Sequence, residues 1–159
     1  MEHLDLEGGG NINGTGNAAG NDLTGNSGNN FLSGLAGNDT VDGGGGSDTL
    51  LGGAGYDQIF GGIGADRFRF DSVADAWTGS VRDVIQDFDS GMDRIDLSRI
   101  DADPGTAGDQ AFDPVDDLAY DSGTGILYAD VAGGGLDEFQ IRLGSFLHPA
   151  TVLIADLVL

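Results

Sequence analysis

Cysteine and lysine are absent from the 159 residues, proline occurs three times, and six arginines face 27 acidic residues. Without cysteine there is no disulfide framework and no thiolate to bind a metal or act as a nucleophile. A formal net charge of −21 repels nucleic acid and anionic lipid, whose recognition needs clustered cations, so nucleic-acid binding is excluded. No apolar run is long enough to span a bilayer, and the opening MEHLDLEGGG lacks the basic start and apolar core of a cleaved signal peptide. His3 and His148 are the only histidines, and neither sits in HExxH or another zinc spacing, so both read as structural or surface residues. No GxSxG elbow is present, and nucleophilic catalysis has no support. The chain is read as a non-enzyme.

What is plentiful is glycine, at 30 residues, and aspartate, which makes up 24 of the 27 acids. The length suits one folding unit, and the glycine content excludes a helical bundle. Charge repulsion and backbone entropy together oppose compaction, so the chain is either disordered or neutralised by cations. Glycine is also unevenly spread, with 20 residues before Asp66 and 10 after it.

The glycine-rich half is periodic. Four segments align at nine-residue spacing: GLAGNDTVD from Gly34, GGGGSDTLL from Gly43, GGAGYDQIF from Gly52 and GGIGADRFR from Gly61. The frame extends backwards to GNSGNNFLS from Gly25 and GNAAGNDLT from Gly16, where the sixth position holds Asn30 and Asn21 instead of aspartate. Apolar residues recur in phase at Leu23, Phe31, Val41, Leu50, Ile59 and Phe68, the mark of a solenoid core. Each repeat predicts a tight glycine turn and then a strand of about three residues with its middle side chain inward. Two repeats make one coil of a right-handed roll, each residue about 4.8 Å from its equivalent 18 positions earlier. Two inward ladders are expected, Leu23–Val41–Ile59 on one sheet and Phe31–Leu50–Phe68 on the other.

Stacking also builds columns of carboxylates along the two edges, Asp39 over Asp57 and Asp48 over Asp66. Like charges so close must be neutralised. The turns offer carboxylate and carbonyl oxygen only, a donor set that suits calcium; magnesium fits worse because it retains its water.

The pattern G-G-x-G-x-D-x-U-x resembles the RTX (repeats-in-toxin) calcium-binding repeat. GADRFRF followed by VRDVIQDFDSGMDRIDLS is similar to the segment closing the C-terminal domain of serralysin-type metalloproteases and the R-modules of mannuronan C5-epimerases. With the lead-in from Met1 to Asn17, the resemblance covers most of the chain. It implies ions held by carbonyls of positions 2 and 4 and the aspartate of one repeat, with positions 1 and 3 and the aspartate of the repeat 18 residues on. Carried over, the first site is Leu35, Gly37 and Asp39 with Gly52, Ala54 and Asp57. The second is Gly44, Gly46 and Asp48 with Gly61, Ile63 and Asp66. Continued arithmetic adds Gly53, Gly55 and Asp57 with Asp75, and assigns Asp83 to the other edge, beside Gly62 and Gly64. Gly43 and Gly45 complete the set on the Asn30 side, where the asparagine repeats offer one carboxylate per pairing and are expected to be weaker or empty.

The second half alternates in the manner of half-buried strands at Arg67–Phe70, Val84–Phe88, Arg94–Leu97, Gly125–Tyr128 and Phe139–Leu143. A solenoid end needs covering, and these strands with Trp77 and Phe88 are expected to supply a cap. Residues 101–121, rich in Asp, Gly and Pro, read as a solvated loop without an ion. The predicted fold is all-β, a right-handed parallel β-roll. Its parts are a lead-in edge strand at 1–15, the roll at 16–70 and an antiparallel β cap at 71–159. In the resembling family an acid followed by apolar residues forms an uncleaved type I secretion signal, and Asp156-Leu157-Val158-Leu159 is similar to it. These features imply a calcium-dependent folding and secretion module of a longer secreted, extracellular protein. Its partners would be calcium, a type I exporter and an upstream domain. The rival expectation is a polysaccharide-binding module of the epimerase type, using Arg67, Arg69, Arg82, Arg94, Arg99 and Arg142.

Overall fold

Residues 2–75, 77–78, 81–100, 118–129, 139–144 and 156–159 are described by the structure, a computed structural model. The lead-in forms two strands, β1 (Glu2–Asp5) and β2 (Asn13–Thr15). In the repeats the chain turns through the glycines and extends over the last residues of each nonapeptide. This gives β3 (Asn21–Thr24), β4 (Phe31–Ala36), β5 (Thr40–Asp42), β6 (Thr49–Ala54), β7 (Gln58–Phe60) and β8 (Arg67–Arg69). Within the turns Gly44 and Gly46 have φ of 86° and 108°, a left-handed region that costs a side chain about 1–2 kcal/mol. Leu35, which occupies the same second position, adopts it too, with φ of 80°.

Alternate strands pair in parallel, β1-β3-β5-β7 in one sheet and β2-β4-β6-β8 in the other, so one coil takes two nonapeptides. The first inward ladder is as expected: Leu23, Val41 and Ile59 stand in register and are buried. The second needs a correction. Leu32, not Phe31, lies beside Leu50 and then Phe68, completely buried. Leu32 is 18 residues before Leu50 whereas Phe31 is 19, and a one-residue slip moves a side chain to the opposite face. Phe31 points outward instead, under the Arg69 guanidinium at 5.5 Å from its ring centre. Each buried aliphatic or aromatic rung contributes about 2 kcal/mol.

Both sheets run on past residue 70. After a 3-10 turn at Val73–Asp75 and a short hairpin, β9 (Trp77–Thr78) with β10 (Val81–Arg82), the strand β11 (Val84–Ile85) joins β7 in parallel. Next, β12 (Arg94–Asp96) joins β8, placing Ile85 beside Ile59 and Ile95 beside Phe68. The apolar ladder thus continues where the glycine pattern has stopped. Within the two large sheets, the antiparallel pairings of the described residues are those of β13 (Leu118–Asp121), β14 (Ile126–Ala129) and β15 (Phe139–Leu143); β15 itself lies parallel on β11. Finally, β16 (Leu157–Val158) adds in parallel to β12. The cap is therefore partly further roll, because Ile85 and Ile95 still need covering on their outer side. The stretch 101–121 ends in strand rather than loop at Leu118–Asp121, and its remainder lies outside the described residues. Phe88 is buried against Phe68, ring centres 6.1 Å apart, whereas the Trp77 side chain and His148 lie outside the described residues. No helix among the described residues is long and apolar enough to cross a membrane.

Candidate metal centres

The two turn edges carry two columns of side chains, each built from one repeating hydrogen bond. The amide of the sixth residue in one coil donates to Oδ1 of its counterpart in the next: Asn21 to Asp39 (2.7 Å), Asp39 to Asp57 (2.7 Å), and Asp57 to Asp83 (2.8 Å). On the other edge Asn30 donates to Asp48 (2.7 Å), Asp48 to Asp66 (2.9 Å), and Asp66 to Asp93 (2.9 Å). Asp83 therefore extends the Asp57 column, not the Asp66 edge to which fixed spacing assigned it. Asp93, missed by the sequence reading, takes that place.

Asp75 is not in the column. Its oxygens accept from the Asp71 amide (2.9 Å), the Ser72 amide (3.1 Å) and Ser72 Oγ (2.7 Å), closing its own turn. Its charge still reaches Asp57 and Asp83.

Each column aspartate spends one oxygen on a rung. The other, Oδ2 of Asp39, Asp48, Asp57, Asp66 and Asp83, is buried without a hydrogen-bond partner. Buried oxyanions without partners are costly, and the carboxyls respond by holding their protons. Burial is the first cause and neighbouring carboxylates add to it, raising Asp57 and Asp66 to about 7 and Asp83 to about 9. Burial likewise raises Asp39, Asp48 and Asp93.

Carbonyl oxygens approach the same places. A methyl group at Gly43 would meet Asp48 Oδ2 at 2.5 Å and the Gly61 carbonyl at 2.7 Å, and one at Gly34 would meet Asp39 Oδ2 and the Gly52 carbonyl. A first-position glycine thus leaves open a cradle flanked by a carboxylate from its own coil and a carbonyl from the next. The carbonyls of Leu35, Gly37, Gly44 and Gly46 point to the following coil, against Gly53, Gly55, Gly62 and Gly64 respectively. Adjacent turns are tied as well, the Gly37 amide to the Ala54 carbonyl (2.9 Å), Gly46 to Ile63 (2.9 Å) and Gly45 to Asn26 (2.8 Å).

Asn21 marks the centre of such a cage. Its Nδ2 donates to Asp39 Oδ1 (2.9 Å) and to the carbonyls of Asn17 (3.2 Å), Ala19 and Gly34 (3.4 Å). These are second- and fourth-position carbonyls of one coil with the first-position carbonyl and carboxylate of the next. The amide's positive end sits where those oxygens converge. Asn30 differs, since its Oδ1 and the Gly43 carbonyl flank the cradle at Gly25.

No three His, Cys, Asp or Glu residues converge on a metal position among the described residues. The cradles at Gly34 and Gly43 each bring one carboxylate oxygen beside a carbonyl oxygen. With oxygen donors only and buried negative charge lacking a partner, the residues fit a hard cation of high coordination number, namely calcium.

Away from the edges, a groove of about 480 Å³ on the outer face of the second sheet is lined by Phe31, Thr49, Arg67, Arg69, Asp96, Ser98 and Arg99. Arg67 pairs with Asp96 (3.0 Å) and Arg69 with Asp71 (2.7 Å), so much of its positive charge is already matched. Asp156 is fully buried and accepts from Ser90 Oγ (2.6 Å) and the Gly91 amide (3.0 Å), which anchors the residue next to β16. His3 is exposed between Asp5 and Asp22.

Comparison with known proteins agrees with this architecture. No curated protein matches the chain significantly. The solution structure of the AlgE6R3 subunit from the Azotobacter vinelandii mannuronan C5-epimerase superposes with a TM-score of 0.62 at 27% identity. The match covers 99% of this chain and 83% of that one. The family model described as peptidase M10 serralysin C terminal matches residues 18–142. A continuous parallel β-roll, carboxylate columns at both edges and a family match over most of its length together establish that the chain belongs to the peptidase M10 serralysin C-terminal family of RTX-type β-rolls.

Proposed function

We propose that the chain is a calcium-binding module of a secreted bacterial protein, without catalysis of its own. It is disordered when calcium is scarce and folds on binding calcium outside the cell. The single observation that carries this reading is the set of five buried, partnerless carboxylate oxygens stacked along the two edges. An apo roll must protonate them or unfold, and calcium removes that conflict. The sites are Leu35, Gly37 and Asp39 with Gly52, Ala54 and Asp57, and Gly44, Gly46 and Asp48 with Gly61, Ile63 and Asp66. Gly53, Gly55 and Asp57 face a third position, with Asp83 above them and Asp75 nearby. Each ion that binds only the folded state adds about 2.7 kcal/mol when free calcium is 100 times Kd, so several convert a marginal chain into a rigid one.

In a calcium-poor cytosol the unfolded chain is compatible with threading through a type I exporter, and folding outside opposes back-sliding. An attached upstream domain gains a folded neighbour on which to build.

The test is far-UV circular dichroism of the metal-stripped chain during calcium titration at pH 7.5, with magnesium as control. A cooperative, calcium-specific gain of strand is the expected result, weakened in an Asp48→Ala, Asp66→Ala variant. A stripped chain already fully folded and indifferent to calcium overturns the reading. Asn21→Asp is expected to exchange the amide plug for an oxyanion and add one calcium per chain, counted by native mass spectrometry.

A second reading is polysaccharide binding in the Phe31, Arg67, Arg69 and Arg99 groove, whose arginines already stand against Asp96 and Asp71. Binding to alginate that weakens from low to high salt is its expected signature; no binding at low salt removes it.

A further inference from the structure

The N-terminal edge of the second sheet carries a chemically labile pair. The chain has eight asparagines, all among the described residues. Every one except Asn13 is held by a side-chain hydrogen bond. Oδ1 of Asn11 accepts the Asn29 amide (2.9 Å), Oδ1 of Asn29 the Ser47 amide (2.9 Å), and Oδ1 of Asn38 the Tyr56 amide (3.2 Å). Asn17 accepts from Ala19 (2.8 Å), Asn26 from Gly28 (2.7 Å) and Asn30 from Asn26 (2.9 Å), while Asn21 fills the cage described above. Asn13 has no such tie among the described residues, stands exposed on β2, and alone of the eight is followed by glycine.

The glycine that follows is required by the core. Strand β2 is the last of its sheet, and its register sets Gly14 beside Leu32. A Cβ at Gly14 would stand 2.9 Å from Leu32 Cδ2 and 3.1 Å from Leu4 Cδ2, so the approach of these two leucines depends on the missing side chain. The same absence leaves the Gly14 nitrogen unscreened beside the Asn13 carboxamide. Packing and lability thus come from one residue. What restrains them is the strand itself, because an extended backbone directs the Gly14 nitrogen away from Asn13 Cγ. The restraint is slight: β2 has three residues and is paired on one side only, to β4, so a local opening releases it at low cost.

We propose that Asn13 is the chain's site of spontaneous deamidation, held back by the docking of β2 on β4. The Gly14 nitrogen bonds to Asn13 Cγ, the Cγ–Nδ2 bond breaks, and Nδ2 leaves as ammonia with the proton that Gly14 gives up. Water then opens the five-membered succinimide at either carbonyl, leaving aspartate or isoaspartate at position 13. Isoaspartate lengthens the main chain by one carbon between Asn11, whose Oδ1 holds the Asn29 amide, and Gly14, which sits under Leu32. The first coil cannot keep both contacts in register. The site stands independently of the calcium reading, and each modified chain records time spent with β2 open.

The whole chain is incubated at mildly alkaline pH with saturating calcium, with and without urea sufficient to abolish the strand signal in circular dichroism, and its peptides are mapped by tandem mass spectrometry. Exchange of amide for acid at Asn13 ahead of the other seven asparagines, at least about tenfold faster in urea, is the expected result. Asn13→Gln is expected to retain the strand signal and to remain unmodified at position 13. Another asparagine reacting first in the folded chain overturns the site. Equal rates in the two conditions, or no strand signal to lose, overturn the restraint by β2. Chain aged to isoaspartate and returned to calcium is expected to unfold at lower urea than fresh chain, and an unchanged midpoint contradicts the loss of register in the first coil.

Discussion

Asp57→Ala is expected to raise the calcium concentration at half-folding several-fold, because a loss of about 3 kcal/mol is spread over the several ions taken up on folding. Asp57 stands between the two cation positions proposed above, one shared with Asp39 and one with Asp83, and its Oδ1 satisfies the buried Asp39 amide. Truncation therefore weakens two ions and leaves an unpaired donor that by itself costs about 1–3 kcal/mol. Asp57→Asn separates these contributions, since it can keep the rung while removing the charge, and it is expected to recover part of the loss. Asp5→Ala, on exposed β1, serves as control and should leave the midpoint unchanged. The measurement is calcium titration followed by circular dichroism. A midpoint for Asp57→Ala within about twofold of wild type contradicts the column as the seat of binding.

Without calcium, acid is expected to stabilise the roll and alkali to dissolve it. Asp57 and Asp66 in the folded chain titrate near 7 and Asp83 near 9, each raised first by burial from an ordinary value of 3.8. The folded state then binds more protons than the unfolded chain, so stability is complete below about pH 4. It is lost as pH rises through 7 and on to 9. In EDTA, the strand signal in circular dichroism is expected to be strongest near pH 5 and to fall away by pH 9. Saturating calcium should abolish that fall by taking the place of the protons, and below about pH 5 protons should compete with the ion. Asp83→Asn is expected to flatten the upper limb, from pH 7 to 9. A strand signal in EDTA that climbs with pH contradicts the burial of these carboxylates.

The roll itself is legible in the sequence because a strict nine-residue period ties turn, strand and column together. Strands β3 to β8, the two edges and the pairings Asp39–Asp57 and Asp48–Asp66 all follow from it. It misleads where spacing is trusted over local pattern. Phe31 and Leu32 are both apolar neighbours, and only the 18-residue step to Leu50 distinguishes the inward one. After residue 70 the step along the columns stretches to 26 residues for Asp57–Asp83 and 27 for Asp66–Asp93, so fixed arithmetic lands on Asp75 and exchanges the edges. A shorter signal survives the stretch. An acid, one residue and an apolar residue recur as Asp57-Gln58-Ile59, Asp66-Arg67-Phe68, Asp83-Val84-Ile85 and Asp93-Arg94-Ile95, because rung and core rung are set by three residues alone. The groove that gathers Arg67, Arg69 and Arg99 is not visible in sequence, since it depends on which strands become neighbours.

The antiparallel detour through β13 and β14 bears on how copies of the chain meet. A parallel roll is polar: its rungs all run from the amide of one coil to the carboxylate of the next, so its two ends are unlike. Two such ends can join only head to tail, an open arrangement that does not close on itself and grows into a filament. Here β14 runs against β15 and β13 against β14, so the eight-stranded sheet ends on a strand that again runs with β1, and the six-stranded sheet ends on β16, parallel to β12. Both far edges keep the roll's direction, and on the second sheet it is the two-residue length of β16 that leaves little edge for another copy to extend.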